Sequence, residues 1–217
     1  MSKFIVTFAE IMGKITEQPT QFKEESEELR EPEKRNCTRM FAMFLLSPNN
    51  GWKKFRNSKV TAQEFEQQTF YPLLALTAIL QFLILIYYPA IPISQVLQNA
   101  IVGFVSIFAS YFAVLSIAPS ILPGKVFEKS NSKFFRVFVG VSMATFDFAY
   151  LISLIAPRLR VLFWLGLIFT LYVICRGVKY LHVPHRERLT TNIMACVLIC
   201  GLPLAIYAIF TLILPPV

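Results

Sequence analysis

The sequence predicts an all-α fold, a polytopic transmembrane bundle of five spans with a cytoplasmic N-terminal arm. Three observations lead there. Of 217 residues, 55% are apolar and 16% charged, against roughly 45–50% and about 25% in soluble domains. No Asp, Glu, Lys or Arg occurs in the 58 residues from Gln67 to Gly124, where about 18 neutral residues already point to a membrane span. Finally, the basic residues cluster between the apolar segments, as they do in membrane proteins that obey a charge rule for orientation. A soluble core helix would need a polar face within the neutral run. The same numbers exclude disorder for most of the chain, and the lack of a Gly period or internal repeat excludes collagen-like and solenoid folds.

The N-terminal arm comes first. Phe4, Phe8, Ile11 and Ile15 recur at helical spacing, which predicts a short amphipathic helix able to lie on a membrane or a partner. Lys3, Glu10 and Lys14 interrupt any apolar core of a signal peptide. The following stretch to residue 36 is rich in Glu and reads as a solvated, flexible acidic linker.

Residues 37–69 read as an interfacial helical segment. The apolar run Met40 to Leu46 is too short to cross about 30 Å of hydrocarbon. Ser47-Pro48 ends it, and Asn49-Asn50-Gly51 is expected to turn the chain. Trp52 with Lys53, Lys54, Arg56 and Lys59 then suits the headgroup zone over anionic lipid, where each cation contributes about 1 kcal/mol.

Five spans follow, at about 70–89, 96–121, 137–156, 161–181 and 190–214. Pro89 and Pro92 divide the neutral run, because prolines three apart cannot stay inside one regular helix. Gly103, Ser106, Ser110 and Ala113 form a small-residue stripe that lets another helix approach. The neutral part of the fourth span ends at Cys175, so its last turn must carry Arg176 and Lys179 as snorkelling residues. Gly201 and Pro203 predict a kink in the fifth. An N-terminus inside puts 19 of the 21 Lys and Arg on the cytoplasmic side and leaves only Arg158 and Arg160 outside. The expected topology is therefore N-terminus in and C-terminus out. The +8 net charge is explained by that asymmetry, so nucleic acid needs no place among the partners.

Asp147 is the only acid inside an expected span. It lies about 15 Å deep, near mid-bilayer, where a charge costs about 2.5–3.5 kcal/mol. Gln81 in the first span matches that depth, so a Gln81–Asp147 hydrogen bond is expected, with Asp147 protonated or facing water. Such a pair either glues two helices or marks a proton, ion or ligand site. Other signals are weaker. His182 and His185 are interrupted by Pro184 and read as a solvated loop rather than a zinc site. Cys196 and Cys200, one turn apart, read as packing. Tyr71, Tyr87, Tyr88, Trp164 and Tyr180 fall at span ends and fit an aromatic belt. No catalytic motif, metal set or cofactor loop stands out.

Leu45-Leu46-Ser47-Pro48 with Trp52 shortly after, Tyr71-Pro72-Leu73 opening the first span, Ile155-Ala156-Pro157, Gly177, and His182-Val183-Pro184 occur in that order. The pattern, from about Phe41 to the C-terminus, resembles the bacterial branch of the Ypt-interacting-protein (Yip) family. The resemblance implies a five-helix membrane domain with a cytoplasmic arm. Eukaryotic relatives act in vesicle traffic with Rab-type GTPases, but the Asp-Leu-Tyr-Gly-Pro stretch typical of them is missing here, which argues against a GTPase partner. Ala144-Thr145-Phe146-Asp147 also lacks the proline many relatives carry, so no role transfers to Asp147.

The expected function is that of a non-enzymatic scaffold in the bacterial inner membrane. It would organise the membrane or recruit a partner, with anionic lipid, a membrane protein or a second copy as partners. The alternative is a small transporter, channel or lipid-moving protein centred on Asp147 and Gln81.

Overall fold

The computed structural model describes residues 37–58, 60–127, 129–155, 161–181 and 183–214, without the side chains of residues 125 and 129–131. The amphipathic helix and acidic linker expected in residues 1–36 lie outside the described residues, as do Lys59 and His182. Among the described residues there are seven helices and no strand. They are α1 (Cys37–Leu46), α2 (Pro48–Asn57), α3 (Ala62–Tyr87), α4 (Ile93–Ile121), α5 (Lys129–Ile155), α6 (Val161–Leu181) and α7 (Arg188–Ile213). The last five are long and apolar enough to cross a membrane.

The central helix is α5. Of its apolar window 72% is buried, against 28–44% for the other four spans. It packs on α3, α4 and α6 and touches the middle of α7. Within the spans the hydroxyls turn back onto their own helices: Thr77 donates to the Leu73 carbonyl at 3.1 Å, Ser106 to Val102 at 2.6 Å and Thr145 to Val141 at 2.8 Å. Such i−4 bonds satisfy a polar side chain where no water reaches it.

Residues 37–57 depart from the expected interfacial segment. Pro48 occupies the first turn of α2, where its missing N–H costs nothing, so the chain starts a helix where Asn49-Asn50-Gly51 was expected to turn. A Cβ on Gly51 would collide with Phe44, so this glycine lets α1 and α2 close on each other. Phe41, Phe44, Trp52 and Phe55 are buried in the main core. The Phe44 and Trp52 rings meet edge-on at 5.0 Å, and Trp52 leans on Phe138 of α5 at 5.5 Å. These contacts make α1 and α2 an aromatic cap fixed to one end of the bundle.

The first span begins at Ala62, eight residues before the expected start. Thr61 and Glu64 form a capping box: the Thr61 hydroxyl accepts from the Glu64 N–H at 3.2 Å, and the Glu64 carboxylate accepts from the Thr61 N–H at 2.8 Å. That reciprocal pair starts the helix firmly enough to carry two acids into its first turns.

Two π-helical turns steer the spans, Glu66–Phe70 in α3 and Val197–Gly201 in α7, and each stands two residues before a proline. Pro72 has no N–H for the Gln68 carbonyl four residues back. The Thr38 hydroxyl of α1 donates to that carbonyl instead, at 2.8 Å. The expected kink at Gly201 and Pro203 is therefore a widened turn, which relieves the clash of the proline ring with the preceding carbonyl. Its effect is directional. Before the turn, α7 packs on α6; after it, residues Leu202–Ile213 pack on α4.

Gly177 in α6 tests how tightly the aromatic cap is seated. A Cβ there would come within 2.6 Å of the Phe138 ring and 2.8 Å of Trp52. Gly177→Val is expected to lower stability by about 1–3 kcal/mol through overpacking, read as a drop in thermal unfolding midpoint in detergent micelles. An unchanged midpoint would contradict this packing.

Candidate intramembrane site

Asp147 is fully buried and Gln81 is 2% exposed, but they do not bond to each other as expected. Gln81 opens a short 3-10 turn, Gln81–Leu83, inside the first span. From there its amide nitrogen donates to the hydroxyl of Tyr150, one turn beyond Asp147 on α5. Neither carboxyl oxygen of Asp147 has a hydrogen-bond partner among the described residues. Thr77 of α3 faces the carboxyl, yet its proton is committed to the Leu73 carbonyl. Sequence reasoning missed Tyr150 because a tyrosine within a span carries no charge to mark it. Its position three residues after Asp147, on the same helical face, was the available signal.

The expected headgroup cluster is also divided. Trp52 is 0% exposed, and its indole N–H donates to the Val173 carbonyl of α6 at 3.0 Å. It therefore belongs to the core, because ring packing and a satisfied N–H outweigh an interfacial seat. Arg56 is drawn inward too: its guanidinium donates to the Tyr180 carbonyl and lies 5.6 Å from the centre of the Phe134 ring. Lys53 and Lys54 remain exposed, so the described part of the cluster offers two lysines to solvent or headgroups.

The aromatic-belt residues have specific tasks as well. Tyr87 donates to the Ile155 carbonyl at 2.9 Å and Tyr180 to the Asn49 carbonyl at 3.2 Å. Both tie neighbouring elements together at their ends.

The divergence of α7 from α6 opens a cleft of about 620 Å³, within the range of about 300–1,000 Å³ common to ligand sites. Every span contributes to it. Ile84 comes from α3; Gly103, Ser106 and Ile107 from α4; Phe146, Tyr150, Ser153 and Leu154 from α5. Tyr88 and Ile91 between α3 and α4, Phe163 and Trp164 of α6, and Pro203, Leu204 and Tyr207 of α7 complete the walls. Trp164 is 62% exposed and Leu204 43%, so the mouth lies between α6 and α7. The small-residue stripe lines this cleft at Gly103 and Ser106. Its other members do not reach it.

The polar atoms of the cleft are few and defined. The Ser106 and Ser153 protons go to the carbonyls of Val102 and Tyr150, both at 2.6 Å, which leaves their oxygens as acceptors. The Tyr150 oxygen receives the Gln81 N–H, which leaves the phenolic proton to donate elsewhere. Tyr207 stands within electrostatic reach of Tyr150. No described lining residue carries a charge.

A second constellation lies at the opposite end of the bundle. Glu66, 3% exposed in the first π turn, accepts both forks of the Arg136 guanidinium, at 2.8 and 3.0 Å. Tyr111 of α4 donates to the same carboxylate, and Tyr71 donates at 3.4 Å. Four donors from α3, α4 and α5 thus converge on one acid. The π turn aims it inward; a regular helix from Thr61 gave no sequence signal for that direction. With Arg136 half exposed, the cluster clamps three spans.

The remaining candidates stay apart. Cys196 lies near Cys175 across the α6–α7 contact and near Cys200, all of them free thiols. Among the described residues no group of three His, Cys, Asp or Glu is arranged to hold a metal ion. Comparison with protein-family models, curated proteins and solved structures finds no match.

The two buried acids are expected to respond oppositely to neutral isosteres. Glu66→Gln weakens four donor contacts and should cost about 1–3 kcal/mol, whereas Asp147→Asn removes no hydrogen bond and should change stability by less than about 1 kcal/mol. Thermal unfolding of both purified variants in the same detergent distinguishes them. A larger loss for Asp147→Asn would show that its carboxyl has a partner in the native bundle.

Proposed function

We propose that this chain is a non-enzymatic, multi-pass membrane protein that takes a lipid-like amphiphile between its spans and thereby moves or senses membrane lipid. The carrying observation is the cleft of about 620 Å³ where α6 and α7 part. Its walls are largely aliphatic and aromatic, and its mouth lies between two helices of membrane-spanning length. Lipid is what a membrane presents to such a mouth. A hydrophilic solute would meet no charged or metal-binding group among the described lining residues. In this reading Tyr150, held by Gln81, forms the polar floor, and Asp147 stands behind it.

The scaffold reading keeps one specific support. Lys53, Lys54, Lys133 and Arg186 are exposed at the end of the bundle that holds the aromatic cap and the Glu66 clamp. A basic end of this kind binds anionic headgroups. It fits an orientation with that end on the cytoplasmic side of a bacterial inner membrane, as the positive-inside rule expects. Membership of the bacterial Yip branch belongs with this proposal, resting on the ordered motifs from Leu45 to Pro184.

The test is native mass spectrometry of protein purified in mild detergent. Wild type is expected to retain one tightly held lipid, and Ser153→Trp, which fills the cleft from α5, is expected to lose it with an unchanged unfolding midpoint. Equal lipid retention by the filled variant would rule out the cleft as the binding site.

A further inference from the structure

The polar atoms of the cleft bear on which lipid enters it, and the inference rests on the lipid-binding reading above. A phospholipid head carries a phosphate, and burying that anion requires a cation or several N–H donors. The described lining supplies no cation and a single side-chain N–H, the indole of Trp164; its other polar side chains are Ser and Tyr. The bundle's described cations instead gather at the far end, where Arg136 is bound to Glu66 and Arg56 to the Tyr180 carbonyl. What the cleft does offer is the hydroxyls of Tyr88, Tyr150 and Tyr207, of which the Tyr150 O–H is fixed as a donor because its oxygen accepts from Gln81. Beside it stand the acceptor oxygens of Ser106 and Ser153. Such a set pairs with an uncharged head that carries a carbonyl next to a hydroxyl.

We propose that the cleft between α6 and α7 is a binding site for a neutral glycerolipid, of the diacylglycerol class, whose ester carbonyl accepts from Tyr150 and whose hydroxyl donates to Ser106 or Ser153. The hydrocarbon chains leave through the mouth between Trp164 and Leu204, so only the head and the first part of each chain need enter. Gln81 acts as a positioning residue. By donating to the phenolic oxygen it fixes the Tyr150 ring and frees its proton for the ligand. Gly103 lines the cleft beside this pair, where even a Cβ would meet both polar groups only at an ordinary contact distance of 3.6 Å.

Photolabelling of the full chain in nanodiscs tests this. Diacylglycerol and phosphatidylglycerol are supplied with identical photoactivatable acyl chains, and labelled peptides are mapped. The expected result is diacylglycerol labelling of α6 and α7 at the cleft, with at least tenfold less from phosphatidylglycerol. Tyr150→Phe should reduce the diacylglycerol signal about five- to tenfold, the usual effect of one lost hydrogen bond. Ser153→Lys should shift labelling toward phosphatidylglycerol, which keeps the test informative even if Tyr150→Phe perturbs the bundle. Equal or stronger cleft labelling by phosphatidylglycerol in wild type overturns the neutral-head inference and leaves the lipid-binding reading standing. Labelling by both probes only on the outer helix faces overturns both.

Discussion

The bundle depends on one buried acid. Glu66 gathers Arg136, Tyr111 and Tyr71 around its carboxylate, and in doing so binds the first three spans at one end. In a bilayer the hydrophobic effect does not hold helices together, because lipid tails are as apolar as leucine. Polar pairs and close packing must do so. A fully desolvated ion pair would cost more than it returns. Here the guanidinium is half exposed and the acid is saturated with donors, so the balance favours association.

Packing reinforces the same end. The rings of Phe44, Trp52, Phe55, Phe65 and Phe138 interlock there, and the Trp52 indole is satisfied by a backbone carbonyl of α6. Among the described residues the other end carries no comparable cluster. There single hydrogen bonds join spans, Tyr87 to Ile155 and Gln98 to Leu214, and the π turn before Pro203 sets the direction in which α7 leaves α6. The cleft follows from that geometry. It is a consequence of where the polar and aromatic groups were concentrated, together with one proline that removes a backbone donor.

Asp147 stands against this background as the one acid in the described spans whose oxygens find no partner. Glu66 gathers four donors, whereas the Asp147 carboxyl faces only the Thr77 hydroxyl, whose proton is held by the Leu73 carbonyl. Gln81, which matched its depth, is bonded to Tyr150 instead. The polar centre of the bundle is therefore a neutral amide–phenol pair beside a cleft, with the acid behind it.

The sequence by itself determined the number of spans, because about 20 apolar residues are needed to cross hydrocarbon and five segments supply them. It also marked the kink at Gly201 and Pro203, and Gln81 and Asp147 as buried polar residues. These are legible because they follow from local rules of length, proline geometry and charge. The tertiary structure alone decided that Trp52 and Arg56 turn inward, that Gln81 selects Tyr150 over Asp147, and that Glu66 meets Arg136, 70 residues away. It also decided that α7 crosses from α6 to α4. Each of these depends on which faces of two distant helices meet, and a turn widened by a single residue rotates a helix by about 100°. Periodicity along one chain segment carries no record of that rotation, which is set by the partner it packs against.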